Sequence, residues 1–108
     1  MAQTPKRAFA NVAASQTDSS IVSAVPFKSI QVMSCFMVAG SSSTNVTFNT
    51  KPSGSGTAIT CLIANGANGG AVLNYNETGW FNTNPGEGLT VTTGSGSTVG
   101  IQITYLEI

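Results

Sequence analysis

Apolar and polar residues alternate in short runs along most of the chain, and each run ends in Gly, Asn, Ser or Pro. Val46 and Phe48 point one way while Asn45, Thr47 and Asn49 point the other. Leu89 and Val91 oppose Thr90 and Thr92, and Val99, Ile101, Ile103 and Tyr105 oppose Gln102 and Thr104. A period of two puts every second side chain on one face of an extended chain, so these runs predict strands with one buried and one wet face. Eight such runs are counted, at 21–25, 28–39, 45–50, 57–64, 71–75, 79–82, 89–93 and 99–108. The Gly-Ser stretch at 94–97 reads as the turn of a closing hairpin between the last two. No run of helical period competes with them, so the expected fold is all-β: an antiparallel β-sandwich, an eight-stranded jelly roll.

Two segments depart from simple alternation. Residues 1–19 show neither a sustained alternation nor a helical period and carry Ala, Ser, Gln and Thr where a core strand would have branched apolar residues. They read as an extended N-terminal arm, with residues 20–108 as the β-sandwich domain; a short helix over 8–15, with Phe9 and Val12 on one face, is too weak to stand alone. The run at 28–39 is apolar on both faces, with Ile30, Val32, Phe36 and Val38 on one and Met33, Cys35 and Met37 on the other. Something must cover the second face. Either the arm or a loop folds over it, or it is an oligomer interface, for which methionine is well suited.

Composition narrows the class. Of 108 residues only 7% are charged, four basic against four acidic, giving a formal net charge of zero. Nucleic acid and anionic membrane both call for clustered Lys and Arg, so neither is an expected partner. Ser, Thr and Asn together make up a third of the chain, and 41% is hydrophobic, enough for a folded core. The opening residues lack a signal-peptide core and no apolar run has the length of a membrane helix, so synthesis in a cytoplasm is expected. In that compartment Cys35 and Cys61 are expected as buried thiols, with a disulfide between them left open.

Candidate chemistry is sparse. Histidine is absent, which removes the usual general base and the commonest metal ligand, so no catalytic, metal or cofactor residues are assigned. Glu77 and Glu87 flank Trp80 in the manner of paired glycosidase carboxylates, but both sit in turn-like segments where an exposed acid is ordinary. Tyr75 and Trp80, with Asn74, Asn76 and Asn82 nearby, form a candidate glycan platform, because an aromatic face offers apolar area to a sugar ring. The competing reading makes Trp80 and Phe81 the core anchor of a short strand.

From Lys28 to Ile108 the order of elements adds a resemblance. A Val/Ile/Met-rich strand is followed by Asn45-Val46-Thr47-Phe48, by Gly79-Trp80-Phe81, by Pro85-Gly86-Glu87-Gly88-Leu89 and by the closing run Val99–Glu107. This order resembles the small jelly-roll capsid decoration, or cement, proteins of tailed bacteriophages. The resemblance implies a virion structural protein on the capsid surface, a homotrimer bound to the major capsid protein, with no enzymatic role. The arm lies outside the part of the chain that carries the resemblance; on it Lys6, Arg7 and Phe9 are the expected capsid-binding residues, and the doubly apolar run makes Met33, Cys35 and Met37 the expected subunit contact. The alternative is a carbohydrate-binding or host-recognition module of a phage tail or fibre, acting through Tyr75 and Trp80.

Overall fold

A computed structural model describes residues 4–108. Ten strands follow one another: β1 (Lys6–Val12), β2 (Ser19–Val22), β3 (Ile30–Ala39), β4 (Thr44–Lys51), β5 (Thr57–Ala58), β6 (Ile63–Asn65), β7 (Gly70–Leu73), β8 (Phe81–Asn82), β9 (Gly88–Thr93) and β10 (Val99–Glu107). They form two antiparallel sheets packed as a sandwich. The first has the order β1-β10-β3-β7 with β8 also on β3, and the second the order β2-β9-β4-β5 with β6 also on β4.

Alternation builds the core as the sequence pattern requires. Val46 and Phe48 of β4 and Leu89 and Val91 of β9 face Val99, Ile101 and Ile103 of β10 and Ile30 and Val32 of β3. The rings of Phe48 and Phe81, one from each sheet, lie 4.9 Å apart. Polar side chains close both ends of this core. At one end the Thr83 hydroxyl accepts from Ile30 N–H at 2.9 Å and the Thr50 hydroxyl donates to Glu87 Oε1 at 2.8 Å. At the other the Thr44 hydroxyl accepts from Ser97 N–H at 2.9 Å. Each group would otherwise be a buried donor or acceptor without a partner.

Ten strands stand where eight runs were counted, because the run at 57–64 divides into β5 and β6 and the N-terminal segment adds β1. Three further features differ from the expectations set by pattern alone. The stretch 94–97 is not a hairpin turn. β9 pairs with β2 and β4 while β10 pairs with β1 and β3, so the stretch carries the chain from one sheet to the other. The reason is that both strands have an apolar face, and these faces bury against each other across the sandwich better than side by side. Gly96, at φ +143°, is where the crossing passes against the backbone of Ser43; a Cβ there would strike the Ser43 carbonyl.

The second difference lies in the N-terminal segment. Lys6–Val12, expected as part of a separate arm, runs as an edge strand in seven-residue register with β10, from Lys6 opposite Tyr105 to Val12 opposite Val99, and the chain then turns at Ala14-Ser15, with Ser15 and Asp18 at positive φ, to enter β2. Residues 1–3 of the expected arm lie outside the described residues. Ala8, Ala10 and Val12 face inward; the first two are small, so the alternation is present in weak form and the strand is held mainly by its backbone hydrogen bonds.

The third is a β-bulge. Along β3 the partners on β10 run Ser34 opposite Thr104 and then Val32 opposite Tyr105, leaving Met33 as the extra residue. One extra residue reverses the parity of every side chain beyond it. Ile30 and Val32 point inward before the bulge, and after it Cys35, Met37 and Ala39 do so.

Candidate functional site

The bulge decides what the outer face of the first sheet presents. With the parity reversed, Phe36 and Val38 point out, and the register aligns them with the outward residues of neighbouring strands. One row reads Phe9, Gln102, Phe36, Val72 across β1, β10, β3 and β7, and the next reads Asn11, Gly100, Val38, Gly70. Phe9 is 74% exposed, Val72 71%, Val38 51% and Phe36 47%. Together these four side chains present on the order of 400 Å² of apolar surface, comparable to the largest patch on a typical monomer, which is often functional. Phe36 stands between two shallow depressions. One, of about 170 Å³, is lined by Phe9, Phe36 and Val38, and the other, of about 240 Å³, by Phe36, Val72 and Tyr75. Gly70 keeps the β3–β7 edge close, because a Cβ at that position would meet the Met37 carbonyl.

This arrangement corrects the expected subunit contact. Met33, Cys35 and Met37 are buried within the chain itself, each at 3% exposure or less, and Cys35 and Met37 belong to the sandwich core. The bulge turned those two inward and turned Phe36 and Val38, expected inside, outward. At Met33 the loop 74–80 docks on the strand, with Asn76 N–H donating to the Met33 carbonyl at 2.9 Å. Burial pushes the Cys35 thiol up to about 12, so it stays protonated and apolar. Cys61 is exposed, contrary to the expectation of two buried thiols, and the two cysteines are unbonded.

The residues expected to bind a capsid lie on β1. Lys6 is engaged within the chain, its Nζ 3.1 Å from Glu107 Oε1. Arg7 and Phe9 are exposed and share the outer face with Phe36. Tyr75 and Trp80 stand on the loop between β7 and β8, at the opposite edge of the sheet. The Trp80-Phe81 pair divides between the two roles weighed for it: Phe81 packs on Phe48 in the core, while Trp80 is 47% exposed. The indole N–H donates to the Asn74 carbonyl at 2.7 Å, which fixes the ring. Gly79, at φ +81°, makes the turn beneath it, where the Gln31 side chain leaves no space for a Cβ.

Glu77 is exposed on that same loop, whereas Glu87 is occupied in closing the core through Thr50. The two carboxylates therefore stand in different structural settings. Among the described residues no group of three or more His, Cys, Asp or Glu side chains gathers as a metal site. The Lys6–Glu107 pair is the one salt bridge among the described residues.

The exposed strip is the feature that sequence reading missed. Phe9, Phe36 and Val72 carry no motif, and Phe36 and Val38 are outward only because Met33 is extra. A long run apolar on both faces was the available signal that a bulge or a second covered face was present. Comparison with known proteins finds no family model, no curated protein and no solved structure that matches this chain.

Proposed function

We propose that this protein is a structural virion component, a decoration or cement protein that binds the major capsid protein at the surface of a phage head and stabilises the shell. In this reading it is made in the host cytoplasm, has no enzymatic role and acts by association alone. The observation that carries the reading is the apolar strip of Phe9, Phe36, Val38 and Val72 held on a paired sheet face. A rigid sheet loses little conformational entropy when such a face is covered, so its apolar area is available for binding. The resemblance carried by residues 28–108 supplies the capsid as partner. The same reading takes the sandwich as a jelly roll, and the winding supports it: β1, β3 and β10 lie in one sheet, and β2, β4 and β9, their neighbours along the chain, lie in the other.

The test is to add purified protein to undecorated heads of the phage that encodes it, image the particles and measure shell rupture on heating. Density for the sandwich at one fixed lattice position, with a raised rupture temperature, is the expected result. Heads that stay bare would overturn the reading.

A second reading, glycan binding, has one observation in its favour: Tyr75 and the fixed ring of Trp80 are both exposed on the loop beside β7. Binding to immobilised glycans that is lost in Trp80→Ala, together with bare heads, would establish it instead.

A further inference from the structure

The strands at the sheet edges are not alike. β2 has four residues with a bulge between Ser20 and Val22, β7 has four and β8 two, and β5 and β6 have two and three. β1 has seven, paired with β10 in unbroken register, and among the described residues nothing pairs with its other side. The backbone N–H and C=O groups of its alternate residues therefore face away from the sheet. Natural edges are blocked by shortness, bulges, proline or charge. On β1 the charges are confined to Lys6 and Arg7 at its start, and Ala8–Asn11 carries neither charge nor proline. The inward Ala8 and Ala10 are left partly exposed at this open edge.

We infer that β1 pairs antiparallel with β1 of a second copy, about a two-fold axis normal to the sheet at Phe9, so that the two first sheets run on as one. The bounds of the strand fix that centre. Pro5, with no N–H to give, ends the pairing segment on one side, and the turn at Ala14-Ser15 ends it on the other. Centred on Phe9, every residue of the strand finds a partner: Lys6 opposite Val12, Arg7 opposite Asn11, Ala8 opposite Ala10, and Phe9 opposite Phe9. Any other centre leaves part of each strand unpaired or sets inward residues against outward ones. Charge selects the same register. It holds the two Arg7 positions four residues apart along the strands, about 14 Å, beyond the screening length of about 8 Å at physiological salt. A strand with its charge at one end and none along the rest is complementary to its own reversed copy, which is why the occupant is a second copy. This axis keeps both outer faces on the same side, so the strip of each copy stays open and the two strips meet at the paired Phe9 rings. The inference thus goes beyond the capsid reading and leaves uncovered the surface on which that reading rests.

Sedimentation equilibrium and cross-linking test the pairing. The wild-type chain forms dimers. Phe9→Lys, which sets two like charges face to face on the axis at a 74% exposed position, weakens the dimer by about tenfold or more and leaves the thermal unfolding transition in place. Phe36→Ser, in the strip but away from the edge, leaves association unchanged. In a Cys61→Ser background, Phe9→Cys gives a disulfide-linked dimer under mild oxidation, because facing residues of paired strands lie within disulfide reach. Arg7→Cys, about 14 Å from its copy, does not. A wild-type chain that stays monomeric up to about 1 mM, association kept in Phe9→Lys or lost in Phe36→Ser, or cross-linking through Arg7→Cys as readily as through Phe9→Cys would each overturn the inference. The two proposals fail separately. Decorated heads beside a chain that is monomeric in solution leave the function standing and this inference fallen, and dimers that obey these rules beside bare heads do the reverse.

Discussion

On the outer face of the second sheet, Thr90 donates its hydroxyl to Asp18 Oδ1 at 3.0 Å, Asn49 donates its amide to the Thr92 hydroxyl at 2.9 Å, and Gly56 N–H donates to Asp18 Oδ2 at 3.0 Å. On the outer face of the first sheet, the corresponding rows hold Phe9, Phe36, Val38 and Val72, with Gln102 and Asn11 as the polar residues among them. Both faces come from the same alternation over the same core. The polar one meets its own hydrogen-bonding needs and ties β2, β4, β9 and the loop before β5 together. The apolar one gains nothing from its own neighbours that it would not gain more fully from a covering surface. Outward side chains on the second sheet therefore serve the fold, and those on the first are free to serve association.

The largest effect that separates the faces is expected at Asp18. Asp18→Ala removes two charge-assisted bonds and leaves Gly56 N–H without its acceptor, so urea denaturation should show a loss of about 3 kcal/mol. Phe36→Ser on the other face should cost under about 1 kcal/mol by the same measurement, because the ring is already 47% exposed. Equal losses in the two variants would erase the distinction.

The inward side of the strand that carries Phe36 provides the next test. The Cys35 thiol has its value raised from 9.0 in the reference state to about 12 in the fold. The unfolded chain therefore loses this proton first as the pH rises. The stabilisation is complete below pH 9.0 and declines by about 1.4 kcal/mol per pH unit until about pH 12, where the folded thiol also ionises. Comparing the pH dependence of stability of wild type with that of Cys35→Ala isolates this slope. In the folded protein a thiol reagent should label Cys61 at once and Cys35 only on unfolding.

The smallest effect is expected at the rim of the first sheet. The Lys6–Glu107 pair is solvent-facing, with the lysine half exposed, so Lys6→Ala should change stability by under about 0.5 kcal/mol and less still at high salt. A larger, salt-independent loss would mean that the rim, and not the backbone register, holds β1 in place.

By itself the sequence determined the sandwich. Val46 with Phe48, Leu89 with Val91, and the inward residues of Val99–Glu107 each demand a covered face and a wet one, and only sheets packed face to face meet that demand repeatedly. It also marked Tyr75 and Trp80 as a possible aromatic platform, with a core role for Trp80 left open, and Cys35 as a buried thiol. Tertiary structure alone decided three things. Backbone pairing with β10 made a strand of Lys6–Val12, whose small inward alanines give too weak a pattern to announce it. The crossing at 94–97 was chosen by burial across the sandwich, while local turn chemistry fits a hairpin equally well. The outward direction of Phe36 and Val38 depends on a single unpaired residue, Met33, because parity along a strand is a running count that one insertion reverses, and nothing local in the sequence marks where it falls.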